Sequence, residues 1–127
     1  MQGKHLYEYA VIRVVPRVER EEFVNVGVIM YSRHGDFIRS KMKIDRDKLS
    51  ALDPEIDMEV LTAFLEAFSN VCQGGPGFGP VGQMDPASRF RWLTAQRSSM
   101  IQTSRPHNGL SADLDKTLEA LFGAFVA

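Results

Sequence analysis

Apolar residues are distributed in two different ways along this chain. Up to about residue 45 they alternate with polar residues or gather in short β-branched runs, the pattern of strands; beyond it they recur three and four positions apart, the pattern of helices. Residues 7–15 are rich in Tyr, Val and Ile and are closed by Pro16, so they predict a strand. Tyr7, Tyr9, Val11, Arg13 and Val15 fall on one side of it, and Glu8, Ala10, Ile12 and Val14 on the other. Both sides are largely apolar, which suits a central strand and leaves Arg13 in an apolar row. Residues 17–23 are charged and read as a loop or one helical turn. Residues 25–32 predict a second strand, with Gly27 inside it; a glycine there implies a bulge or a close backbone approach. Arg33-His34-Gly35-Asp36 reads as a hairpin turn, Gly35 supplying the positive φ. Residues 37–44 return as a third strand. There Ile38, Met42 and Ile44 face one way and Arg39, Lys41 and Lys43 the other, giving one buried and one wet face.

Residues 45–52 predict a short helix with Leu49 and Leu52 inward. The next helix starts at Asp53-Pro54 or at Asp57, since Asp caps a helix and Pro fits its first position. Leu61, Phe64, Leu65, Phe68, Val71 and Cys72 then recur at helical spacing until Gly74-Gly75. Residues 73–84 hold five glycines and two prolines and read as a flexible surface loop. Asp85-Pro86 restarts a helix carrying Phe90, Leu93 and Arg97. Residues 99–103 read as a short strand ended by Pro106, and Ser111 as the cap of a last helix with a stripe of Leu114, Leu118, Leu121 and Phe125. The expected fold is α+β: a small, mainly antiparallel sheet of three N-terminal strands plus one later strand, covered by helices from the C-terminal half, as a single domain over 1–127.

Composition bears this out without narrowing function. A chain of 127 residues, 44% hydrophobic and 24% charged, has the makeup of a globular domain large enough to bury a core. Its single cysteine, Cys72, has no internal partner, residues 1–8 contain no apolar leader core, and no apolar run approaches the ~20 residues of a bilayer span. A reducing cytoplasm is therefore the expected setting, without a membrane. The net charge of −1 argues against bulk nucleic-acid binding, but it is unevenly spread. Residues 1–50 carry ten Lys+Arg against seven Asp+Glu, residues 51–85 carry six acids and no base, and residues 86–127 carry five bases against three acids. Such a division either steers partners or marks a solvated acidic helix.

No complete catalytic, metal or nucleotide signature is present. His5, His34 and His107 are scattered and Cys72 lacks a neighbouring ligand, so no metal is expected, and no cofactor motif is found. Cys72 continues an apolar stripe, the place of a buried, inert thiol. The glycine-rich stretch lacks the Gly-Lys-Ser/Thr ending of a phosphate loop, and its prolines remove amide donors. Arg39, Lys41 and Lys43 would stand roughly 7 Å apart along one strand face, a row able to follow a phosphate backbone or simply to protect an edge. The richest set is Arg13, Glu22, Asn25 and Gly27. A guanidinium among apolar neighbours needs a partner; Glu22 could supply it, Asn25 could complete the shell, and Gly27 leaves backbone room. The arrangement fits an anion pocket, a carboxylate-assisted hydrolytic site, or a structural salt bridge at the strand crossover.

Tyr9-Ala10-Val11-Ile12-Arg13-Val14-Val15-Pro16, followed by Glu22-Phe23-Val24-Asn25-Val26-Gly27-Val28, resembles the opening of the bacterial domain-of-unknown-function (DUF) family 3037. Arg89-Phe90 to Leu93, Arg97-Ser98 and Ile101-Gln102 to Ser104 are similar to that family's later segment. The resemblance implies a bacterial protein and adds a residue set: Arg13, Glu22, Asn25, Gly27, Arg89, Arg97 and Gln102. It also implies a genomic setting beside HipA-type serine/threonine kinases, hence an accessory or regulatory protein-binding module, as in a toxin–antitoxin-like pair. The alternatives are a small enzyme acting on a phosphate-containing or nucleic-acid substrate through the Arg/Glu/Asn pocket, and a nucleic-acid-binding module without chemistry.

Overall fold

A computed structural model describes residues 3–126, so residues 1, 2 and 127 of the expected domain and leader region lie outside the described residues. The chain forms β1 (His5–Val14), β2 (Val24–Ser32), β3 (Phe37–Met42), α1 (Arg46–Leu52), α2 (Met58–Gln73), α3 (Gly79–Gly82), α4 (Pro86–Leu93), β4 (Ile101–Thr103), β5 (His107–Ser111) and α5 (Leu114–Phe125). The fold is α+β: an antiparallel sheet with helices of the C-terminal half packed over it. The sheet order is β3-β2-β1-β4, and β5 pairs with the same side of β1 as β4, further along the strand. The expected central position of the first strand follows from its two apolar faces.

Two layers of helix use those faces. Ala10, Ile12, Val14, Ile29 and Tyr31 pack with Leu49 of α1, Leu61, Leu65 and Phe68 of α2, and Phe90 and Leu93 of α4. On the opposite face Val28 and Met30 pack with Leu114 and Leu118 of α5. The face of the third strand expected to be wet is therefore covered by α5, whose own acids meet the basic row. β2 serves both layers through a bulge: Ile12 pairs with Gly27 and Arg13 with Asn25, leaving Val26 without a counterpart. Past this extra residue the alternation inverts. Val24 and Val26 join Ile29 and Tyr31 in the first core, and Asn25 is turned to the α5 side, where its amide donates to the Phe125 carbonyl at 3.2 Å. Gly27 is needed there because a Cβ would meet the Lys41 carbonyl oxygen at 2.6 Å.

Local chemistry sets the helix ends. Asp45, Asp57, Asp85 and Asp113 each accept first-turn amide hydrogens, so Asp57 rather than Asp53 starts α2. Asp113 rather than Ser111 caps α5; Ser111 belongs to β5, and its hydroxyl accepts the Asp113 amide and pairs with Thr117. α4 ends at Leu93, which puts Arg97 in the following loop instead of on the helix. The glycine-rich segment contains the four-residue α3 and closes on itself through a Gly75 amide to Gly82 carbonyl bond of 2.8 Å.

The second later strand, β5, was not expected. Its sequence, HNGLS, is short and polar, and Gly109 is a poor strand former. It is held because Tyr7, directly across from Gly109, lays its ring where a Cβ would otherwise stand.

Candidate functional site

Arg13 sits near the end of β1 with Asn25 of β2 on one side and Gln102 of β4 on the other. Cross-strand neighbours share a face, so the three project to the α5 side of the sheet, near the end of that helix. The Arg13 guanidinium lies 4.2 Å from the centroid of the half-exposed Phe23 ring. Its Nε is buried and, among the described residues, has no hydrogen-bond partner, and neither has the Asn25 Oδ1. Each such atom costs about 1–3 kcal/mol of desolvation without return.

The loop after α4 brings a second cation. Arg97 donates to the Trp92 carbonyl, and its guanidinium lies 4.6 Å from the Trp92 ring centroid. Gln102 donates to the Ser99 carbonyl at 2.9 Å, which fixes its carboxamide beside this loop. Arg13, Arg97 and Gln102, with Gln96, Ser98 and Glu21, line an open polar cleft of about 540 Å³. Phe23 and Val15 supply part of its wall. Three residues of the sequence-derived set thus converge.

The other members of that set go elsewhere. Glu22 pairs with Arg20 at 2.8 Å rather than with Arg13, because the turn at Val18–Arg20 ends with Glu21 in the left-handed region and rotates the next side chain away. Among the described residues the acid that lines the cleft is Glu21. Asn25 lies beside Arg13 but is tied to the end of α5. Gly27 serves close strand packing. Arg89 is buried and donates to the carbonyls of Val71 and Cys72, at 3.2 and 2.7 Å, and from its Nε to Met84 at 3.0 Å. It neutralises the end of α2 and pins the glycine-rich loop. Of the basic row, Arg39 is paired with Asp115 at 3.0 Å and Lys41 with Glu119, both on α5, while Lys43 lies just past β3.

A second hollow adjoins the cleft. Phe64, Phe68 and Val71 of α2, Trp92 of α4, and Met100 and Ile101 line an apolar groove of about 250 Å³, and Arg97 and Gln102 belong to both. Phe64 and Trp92 are 50% and 43% exposed, high for side chains of their size and type. Phe64 belongs to the helical apolar stripe of the sequence, whose spacing does not separate it from the buried Leu61, Leu65 and Phe68. Trp92 and Glu21 carried no periodic signal that could have found them.

Chemically, the described residues of the cleft offer two guanidinium groups, two carboxamides, a hydroxyl and one carboxylate. That is a set for holding a carboxylate or phosphate by charge-assisted hydrogen bonds. Cys72 is remote from it in role: burial pushes its thiol up, keeping it protonated. Among the described residues no cluster of three His, Cys, Asp or Glu could hold a metal ion, and no helix is long and apolar enough to cross a membrane.

The family described as Protein of unknown function (DUF3037) matches residues 9–126, nearly the whole chain. The chain belongs to the DUF3037 family. Its match takes in both strands of the Arg13 region and the later segment with Arg97 and Gln102, so the whole cleft lies within the family's extent. No match was found among curated proteins or among solved structures, so the DUF3037 assignment carries no activity with it.

Proposed function

We propose that this DUF3037 chain is a binding module without chemistry of its own, acting in the bacterial cytoplasm, and that it recognises a partner protein through the Arg13–Arg97 cleft. The observation that carries this reading is the buried Arg13 Nε, without a hydrogen-bond partner among the described residues, in a cleft that holds a second guanidinium. An acidic group from a partner would recover the hydrogen bonding the fold leaves unused. Glu21 is the one acid lining the cleft among the described residues, which counts against the hydrolytic alternative, since a lone acid beside two arginines makes no acid–base pair or activated nucleophile. The pairing of Arg39 and Lys41 with α5 counts against a phosphate-tracking strand. A HipA-type kinase is the partner suggested by family context.

The test is capture from native cytoplasm with tagged wild type and with the Arg13→Gln/Arg97→Gln double variant, with quantitative mass spectrometry and nucleic-acid measurement of both eluates. The expected result is a protein held by wild type and depleted with the variant. Equal capture by both, or variant-sensitive recovery of nucleic acid alone, would overturn the reading.

A further inference from the structure

The cleft and the apolar groove are not separate features. They meet at Arg97 and Gln102, which line both. Arg97 is the hinge of this arrangement: its guanidinium lies over the Trp92 ring and it lines both hollows, so its charge is presented at the junction. An occupant that reaches from one hollow into the other therefore meets aromatic and aliphatic walls on one side and two cations on the other.

The groove, at about 250 Å³, is the size of one or two bulky side chains, and the cleft that it joins, at about 540 Å³, has room for the polar residues beside them. Charge selects the neighbour of that anchor. Arg13 and Arg97 outnumber Glu21 at the cleft, and Gln96, Ser98 and Gln102 add neutral hydrogen-bonding groups.

We infer that the occupant is a partner segment carrying a bulky apolar anchor, Phe, Trp or Leu, within a few residues of one or more Asp or Glu. The anchor fills the groove against Phe64 and Trp92, and the carboxylate enters the cleft between Arg13 and Arg97. This inference rests on the proposed binding role of the cleft and adds to it the groove and the partner's chemistry.

The test is selection of a random peptide library displayed on phage against the whole protein, followed by titration of synthetic versions of the enriched peptides. Trp92 is the chain's single tryptophan, so its fluorescence reports occupancy of the groove directly. The expected result is enrichment of peptides with an apolar anchor close to an acid, a change in Trp92 emission on binding, and roughly tenfold or greater weakening by Phe64→Ser and by Arg97→Gln. Phe64 is half-exposed, so its replacement leaves the core intact, which circular dichroism would confirm. Acidic peptides that lack an anchor, depend on Arg13 and ignore Phe64→Ser would sink the groove inference while leaving the cleft reading standing. No enrichment, or enriched peptides indifferent to both Arg13→Gln and Phe64→Ser, would overturn both.

Discussion

The hydroxyl oxygen of Ser104 accepts the Val11 amide hydrogen at 2.9 Å, and the Ser104 amide donates in return to the Val11 carbonyl, also at 2.9 Å. Ser104 stands in the gap between β4 and β5, where the ladder along β1 would otherwise be broken. Its side chain replaces a strand carbonyl. Ser104→Ala leaves the buried Val11 amide without an acceptor and is expected to cost about 1–3 kcal/mol, read from the urea midpoint at unchanged slope.

Arg89 and Gly74 are expected to behave as one unit. Gly74 has φ +77° and lies directly against the Arg89 guanidinium, leaving no room for a Cβ. Arg89→Met strips the end of α2 of two donor contacts and the Met84 carbonyl of a third, and Gly74→Ala displaces the same side chain. Each is expected to lower stability by roughly 2–3 kcal/mol, and the double variant by much less than the sum, in a thermodynamic cycle.

The pair formed by Lys41 and Glu119 and the pair formed by Arg39 and Asp115 are half or more exposed on most of their members, so their energies must be small. Glu119→Gln is expected to change stability by less than about 1 kcal/mol, and by still less at high salt. Loss of several kcal/mol would show that α5 is held chiefly by charge rather than by Leu114 and Leu118.

Replacing Arg13 should separate stability from binding. Arg13→Met removes a buried Nε that has no partner among the described residues while keeping a long side chain against Phe23. Its thermal midpoint is expected to equal or exceed that of wild type, whereas capture of the partner is lost. Glu22→Gln, which changes the exposed pair with Arg20, is expected to alter neither.

Burial holds the Cys72 thiol above its ordinary pKa, against weaker opposing effects of Ser40 and Arg89. On raising pH the unfolded thiol ionises first. The stability linked to this group is therefore full below the unfolded pKa and lost as pH climbs toward the folded value. Wild type is expected to weaken more steeply in alkali than Cys72→Ala, and native protein to react with thiol reagents only as fast as it opens.

Periodicity revealed the two kinds of element because burial acts on every second residue of a strand and every third or fourth of a helix. Leu61, Leu65, Phe68 and Leu118 were legible for that reason, and so was the central place of β1. β5 was not, since its hold on the sheet comes from a tyrosine that lies on another strand. The candidate site was legible only in part. Arg13 stood out as a cation in an apolar row, and Arg97 and Gln102 came from a family resemblance. The pairing of Arg13 with Glu22 failed because a single left-handed residue, Glu21, decides which carboxylate faces inward, and sequence spacing does not encode that rotation.

The bulge at Val26 means that β2 is read in two frames. From Gly27 onward odd-numbered side chains enter the larger core; before it, even-numbered ones do. Asn25 reaches the side of Arg13 only because the frame changes between them. A one-residue deletion at Val26 would preserve every remaining residue type and yet exchange inside for outside over the first turn of the strand. Which side chains stand beside Arg13 is thus set as much by the count of residues between Phe23 and Gly27 as by their identity.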